Sequence, residues 1–441
     1  MASVIKIYAL FLGSALLMFG GGLQGLLLSV RGAEEGFSLL ALGLIGTGWS
    51  IGFVAGSLFV PLVVRKVGHI RAFSVMAAIG TITILLNLLW VNDVSWIVLR
   101  ALSGFCFAGA AMIVESWLNE VADNKSRGTI FSIYVTINMA ASTLGQIAMS
   151  VTGTAGFIPF VVGAISFICA VLPTALTSSP QPKPLQSAKI DIGLLYRTSP
   201  VAAIASFSVG MANGAFGTLA PVYGYEQGLD AGGIALLFAI AAILGAVAQV
   251  PFGRLSDHID RRLVMIGLSG FAAVVGALIV IINPTAGWGM YVLFAAYGFA
   301  ANPIYAVAVA HANDFAKDGE FAKIAGGMLM ICGIGLAIGP AVASVIMGAW
   351  HPVGLFIVTA TFHGALAGAA YLRMRVRKSV EAEERAPFQP MSDRQVTPET
   401  FVLDPRTEND DDDVPVQREA AVPEELIETV ERRDDVQDKP V

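Results

Sequence analysis

From residue 7 to residue 372 the chain is a succession of apolar stretches, each about 20 residues or longer and so able to cross roughly 30 Å of hydrocarbon as a helix. They fall at about 7–29, 38–63, 72–91, 95–118, 128–151 and 154–176, then at about 199–223, 232–253, 263–283, 287–311, 322–348 and 351–372. A hydrophobic content of 55%, only 14% charged residues and a mean hydropathy of +0.71 leave too little polar surface for a soluble globule. The expected fold is all-α and integral to a membrane, with 12 transmembrane helices and a lipid bilayer as its solvent. The first stretch follows Lys6 and has no small-residue cleavage site, so it reads as a retained helix.

The polar turns repeat. Ala33 to Ser38 lies over Tyr225 to Asp230 at an offset of 192, and from there both segments run on as apolar stretch, basic turn, apolar stretch. Ile97 to Phe105 lies over Tyr291 to Phe299 at an offset of 194. A bundle duplicated after six spans has both halves starting on the same side, which makes them parallel repeats about an axis along the membrane normal. The expected organisation is a six-helix bundle over 1–176, a linker over 177–198 with Pro180, Pro182 and Pro184, a second six-helix bundle over 199–373, and an acidic tail over 374–441.

Charge orients the bundle. Alternate loops place eighteen Lys and Arg on one side and only Arg31 on the other, so the positive-inside rule puts both termini in the cytoplasm. Residues 1–378 carry 20 Lys and Arg against 14 Asp and Glu, whereas residues 379–441 carry 7 against 19, so the tail sets the net charge of −6. With Asp410 to Asp413 in a row, several prolines and few large apolar residues, the tail is expected to be disordered. Cys106, Cys169 and Cys332 lie in separate apolar stretches and read as buried small hydrophobes.

The basic turn from Gln249 to Arg262 contains Gly253-Arg254-Leu255-Ser256-Asp257-His258-Ile259-Asp260-Arg261-Arg262. This run resembles the loop signature of the major facilitator superfamily, G-x-L-a-D-r-x-G-R-R, with Asp260 in place of the second glycine. With Val114-Glu115-Ser116-Trp117, Arg127-Gly128 and Leu144-Gly145-Gln146, the chain looks most like the YcaD-type bacterial members. The resemblance implies a monomeric, multi-pass transporter of the bacterial plasma (inner) membrane, working by alternating access on a small-molecule solute with no cofactor. It also implies a cytoplasmic gate at Gly253, Asp257, Arg261 and Arg262, with Asp314 at the corresponding acidic place after the tenth span. In the first half Arg65 stands at the acidic position, followed by Arg71, and Glu120 with Arg127 resembles the charge pair between the fourth and fifth helices; Glu115 or Glu120 is the expected acid for that altered clasp.

Two charges lie within the fourth span, where an ionisable group costs at least about 2.5–3.5 kcal/mol on insertion scales and marks a candidate site. Arg100 opens a stripe with Gly104 and Ala108 that resembles a superfamily signature linked with proton coupling. It either faces the cavity as an anion-binding or proton-coupling group or snorkels to the headgroups near Trp96. Glu115, roughly 22 Å of helix rise away, is either a proton carrier or half of an ion pair with Arg71, Lys125 or Arg127. Gln24, Asn138, Asn213, Asn302 and Tyr305 are the mid-depth polar groups expected to line the solute cavity with Arg100, although hydrogen bonds between helices explain isolated amides equally well. Gly335, Gly339 and Pro340 in the eleventh span suggest a hinge.

No phosphate-binding glycine loop with its lysine, no cluster of metal ligands and no nucleophile–base spacing is present, so the sequence does not read as an enzyme, a metalloprotein, a nucleotide-driven pump or a nucleic-acid binder. The leading expectation is proton-coupled export of small organic or amphiphilic compounds. Carriage of an organic anion by Arg100 is the alternative, and a transporter-like sensor or scaffold acting through the tail is a third reading.

Overall fold

Ser38 and Asp230, 192 positions apart, perform the same task. Each ends a turn and caps a helix: the Ser38 hydroxyl accepts from the Ala41 N–H at 3.1 Å and the Asp230 carboxylate from the Gly233 N–H at 2.7 Å. Two residues before each cap, Gly36 and Gly228 take φ of +77° and +89°, a region that side chains with a Cβ rarely enter. The repeat read from sequence is therefore also a repeat of backbone conformation.

The computed structural model describes residues 2–122, 126–175, 190–317, 320–381, 385, 388–391 and 397–403. Lys125, residues 177–189 of the expected linker and the Asp410–Asp413 run lie outside them. The first half comprises α1 (Ala2–Glu34), α2 (Leu39–Val67), α3 (His69–Leu89), α4 (Asp93–Val121), α5 (Arg127–Thr152), α6 (Ile158–Cys169) and α7 (Val171–Ala175). A short α8 (Ile192–Thr198) leads into the second half: α9 (Pro200–Glu226), α10 (Ala231–His258), α11 (Arg261–Ile282), α12 (Trp288–Asn313), α13 (Phe321–Ala349) and α14 (Gly354–Met374). Eleven of these helices are long and apolar enough to span a membrane, and the shorter apolar segment Ile158–Thr174 takes the sixth place, completing twelve in two parallel sets of six. Outward-facing Ile51, Val98, Val151, Val247 and Ile281 give the bundle the apolar girdle that lipid requires.

In lipid there is little hydrophobic drive between helices, so small residues that admit close backbone contact hold the bundle together. A Cβ on Gly52 of α2 would fall on the Ala101 carbonyl of α4, and one on Gly298 of α12 on the Ala241 carbonyl of α10. Likewise Gly22 and Gly145 close α1 on α5, while Gly210, Gly214, Gly335 and Gly339 close α9 on α13. The same two helix pairings occur in each half. The glycines expected to form a hinge are also close-packing positions: α13 is one continuous helix with Pro340 inside it, and a Cβ on Gly335 would lie 2.6 Å from the Phe207 carbonyl oxygen.

The loops with Arg65, Lys66, Arg254, Arg261 and Arg262 lie at the same end of the bundle as the start of α1 and the end of α14. Toward the opposite end the halves touch directly. The Thr47 hydroxyl of α2 donates to the Ala337 carbonyl of α13 at 2.6 Å, the Ser50 hydroxyl donates to Leu336 O at 3.1 Å, and Gly43 and Gly46 pack on Ser344 and Thr218. At the basic end, residues of the C-terminal tail lie between the halves. There α15 (Pro398–Leu403) packs on α4 and α13.

Candidate functional site

Arg100 sits two turns inside α4 from the end opposite the basic loops, and its guanidinium points into a cavity of about 160 Å³ between the halves. Its Nη1 donates to the Gln24 Oε1 of α1 at 3.1 Å, and Ser103, three residues on along the same face of α4, donates to that oxygen at 3.0 Å. Trp49 of α2 presents its ring 5.6 Å from the guanidinium carbon, a cation–π contact. The remaining wall includes Gln146 of α5, Thr218 of α9 and Leu336 of α13. Among the described residues no carboxylate lies in ion-pair range of Arg100. The buried Gln24 Nε2 has no hydrogen-bond partner. A guanidinium with five donors and a spare amide donor beside it form a site chemically suited to an anionic or strongly accepting group. Trp96, the expected interfacial anchor for a snorkelling Arg100, is instead buried between Phe37 and Phe160, with its indole N–H donating to Asn87 O at 2.9 Å.

A second cavity of about 130 Å³ adjoins the first through the shared walls Ser142, Gln146 and Phe238. Asn213 of α9 and Asn302 of α12 line it, with Tyr297 and Phe216. Asn138 and Tyr305 line neither cavity. Asn138 is a buried tie between α5 and α1, accepting from the Ser14 hydroxyl at 2.7 Å, and Tyr305 is fully buried within the second half.

At the basic end Arg261 is buried and joins three helices: its Nε donates to Asp314 at 2.7 Å, its Nη1 meets Asp257 at 3.2 Å and the Ser256 hydroxyl at 3.1 Å. Arg262 pairs with Asp260 at 2.7 Å and caps the end of α14 through the Arg377 carbonyl at 2.7 Å. Burial alone would raise the Asp260 carboxyl, but the hydrogen bonds and charge of Arg262 outweigh it and hold the group below its ordinary value of 3.8. These contacts all lie within the second half. Through these contacts the expected gate residues brace the ends of α10, α11, α12 and α14. Arg65, Arg71 and Glu120 are exposed and Arg127 is half-buried.

Glu115 is fully buried and has no base in ion-pair range among the described residues. Its carboxylate accepts from the Tyr134 hydroxyl at 2.9 Å, from Thr400 at 2.9 Å and from Thr397. Among the described residues hydroxyls, two of them from the tail, stand where the ion-pair alternative expected Arg71 or Arg127.

A sequence profile of the Major Facilitator Superfamily matches residues 10–289 and 202–403. The chain belongs to that superfamily. An uncharacterized MFS-type transporter of Enterobacter sp. (strain 638) is 25% identical over 353 residues, covering 79% of this chain and 89% of that one. The MFS-type transporter YcaD of Escherichia fergusonii is 24% identical over 333 residues, covering 75% and 85%. Among solved structures, the nucleoside transporter NupG superposes with a TM-score of 0.69 at 14% identity, covering 85% of this chain and 100% of that one. A bacterial homologue of the human lysosomal transporter Spinster, in an inward-facing and occupied conformation, gives 0.67 at 15% identity over 87% and 98%. These two likenesses concern the fold.

As a superfamily transporter the protein is not an enzyme, and its cavity between the halves is where a solute has room to sit. Sequence reading placed Gln24, Arg100, Asn213 and Asn302 on the cavity walls, but missed Trp49 and Gln146, and missed Ser103 behind Gln24. Gln146 was visible as a polar residue in an apolar span and was read only as part of a motif. Thr397 and Thr400 carried no sequence signal, since a threonine pair in an acidic tail looks like solvated chain.

Proposed function

We propose that this protein is a secondary transporter of a small organic solute bearing an anionic group, which Arg100 and Gln24 hold between the halves. The observation that carries this reading is the Arg100 guanidinium, aimed into a cavity with no carboxylate in ion-pair range among the described residues. Trp49 adds an aromatic face, so an amphiphilic or aromatic anion suits the cavity better than a small inorganic one. The protein acts as a monomer in the bacterial inner membrane with both termini in the cytoplasm, a reading supported by the basic loops at the end of the bundle where α1 begins and α14 ends. The solute crosses when the two halves rock about this site.

Proton coupling and export rest on a separate feature. Glu115 is a buried carboxyl surrounded by hydroxyls, able to exchange a proton at the basic end without breaking an ion pair. In proteoliposomes, an imposed pH gradient should drive uptake of a labelled aromatic carboxylate, and Glu115→Gln should remove the dependence on the gradient while leaving counterflow exchange intact. Gradient-driven flux that persists in Glu115→Gln would exclude Glu115 as the coupling group. A neutral amide analogue that moves as fast as the carboxylate would exclude Arg100 as the anion site.

A further inference from the structure

We propose that the tail segments 388–391 and 397–401 form an autoinhibitory plug in the basic-end mouth, which keeps the opposite end closed and must leave before the halves can rock. The inference rests on the transporter reading for its purpose, but the docking and the hold on conformation stand on contacts alone.

The tail touches both halves. On the second half, the ring of Phe388 lies where a Cβ of Gly253 would be, its backbone N–H donates to Asp257 Oδ1 at 3.1 Å, and Arg385 donates to Ile259 O at 2.6 Å. Next along, Met391 is clamped by Gln249: its N–H donates to Gln249 Oε1 at 3.2 Å, and Gln249 Nε2 donates back to its carbonyl at 3.4 Å. On the first half, Thr397 and Thr400 donate to Glu115, and Asn119 donates to the Glu399 carbonyl at 3.4 Å. Phe401 then returns to the second half, with its ring 6.3 Å from that of Phe321 at the start of α13. Pro398 closes the wall of a small apolar cavity with Ser57 of α2 and Met330 of α13.

These are interior contacts. Met391 is 1% exposed, Thr397 0% and Phe401 3%, values of a packed core rather than of a chain lying on a surface. An occupant of that volume excludes the approach of α2 and α4 to α10 and α13, which closing the basic end would require. With the basic end wedged, the direct contacts of Thr47 and Ser50 on α13 keep the opposite end shut. The flanking sequence suits the role, because residues 379–441 carry 19 acidic side chains and the loops at the basic end are rich in Lys and Arg.

Labelling of the full chain in liposomes with a water-soluble maleimide tests the plug without any transported solute. Two reporters are made in a Cys169→Ser background, with Cys106 and Cys332 buried: Ser57→Cys beneath the plug and Thr47→Cys at the opposite-end contact. The tail variant Thr397→Val, Thr400→Val, Phe401→Ala should raise labelling at both positions about 10-fold or more. Unchanged labelling at Ser57→Cys overturns the docking, and a rise there with none at Thr47→Cys overturns the hold on conformation. A disulfide between Phe321→Cys and Phe401→Cys should suppress labelling of Thr47→Cys until dithiothreitol is added; labelling indifferent to the lock also overturns the proposal. If the labelling results hold, the tail variant should exchange the aromatic carboxylate several-fold faster than the parent. Equal or slower exchange by a transporting parent overturns inhibition, whereas absence of flux in every variant counts against the transport reading and leaves the plug to the labelling data.

Discussion

Arg100 and Gln24 are locked in one orientation: the guanidinium donates to the amide oxygen at 3.1 Å, and Ser103 donates to the same oxygen at 3.0 Å, which leaves the buried amide nitrogen of Gln24 as a spare donor beside the guanidinium. A cation and a neutral donor are thereby presented together, on a wall that both halves complete.

Replacing Arg100 separates charge from packing. Arg100→Ala should reduce the thermal stabilisation conferred by aromatic carboxylates to background, equivalent to a loss of at least about 10-fold in affinity, or about 1.4 kcal/mol. Arg100→Lys should keep part of the effect, because the ammonium retains charge but loses the planar fork. Melting curves of detergent-solubilised protein with a panel of acids and their amides make the comparison.

Gln24→Glu has the opposite signature. It puts a carboxylate beside Arg100, so the apo protein should melt at a higher temperature while the stabilisation by anions disappears. Gln24→Leu leaves the Arg100 and Ser103 donors short of an acceptor and should lower stability by about 1–3 kcal/mol.

Asp314→Ala removes the acid that faces the buried Arg261, both side chains being at most 3% exposed. A buried guanidinium that loses its buried acid and keeps Asp257 at 3.2 Å should cost up to about 3–5 kcal/mol, against a much smaller loss for exposed Glu120→Ala. Thermal denaturation of the two variants side by side reads the difference.

Asp260 gives a pH signature. Its carboxyl is held below 3.8 in the folded protein, so the folded state binds fewer protons there than the unfolded state. Its stabilising contribution is therefore complete above the unfolded value and is lost as pH falls through the folded one. The gap in melting temperature between the parent and Asp260→Asn should be open at pH 7 and should close below a pH of about 3.8.

Gly52→Ala should block assembly, since its Cβ would fall on the Ala101 carbonyl, whereas Gly267→Ala, with open space at that point, should be silent. Yield of monodisperse protein on gel filtration distinguishes them.

The spans and their duplication were legible because lipid imposes long apolar runs and because turns such as Gly36 and Gly228 need a specific backbone. The charged loop was legible as a cluster but not as a brace, for sequence does not say that Arg261 turns back on Asp314 within its own half. Asn138 looked like Asn213 in one dimension, yet its face of α5 turns toward Ser14 instead of the cavity. Within the tail, the segments 388–391 and 397–403 were not legible: few large apolar residues and many acids point to solvated chain, and side chains such as Met391 and Phe401 stand out from that average only once a mouth of matching shape exists.

The segment that meets Gly253 and Glu115 is joined to α14 by only the residues between Met374 and Phe388. A short tether of this kind keeps its end at an effective concentration in the millimolar range. Docking is thus independent of how many copies the membrane holds, and a soluble tail peptide competes only at comparable concentration. A ligand that seizes the acidic run beyond Leu403 works on the tether itself and faces no such threshold.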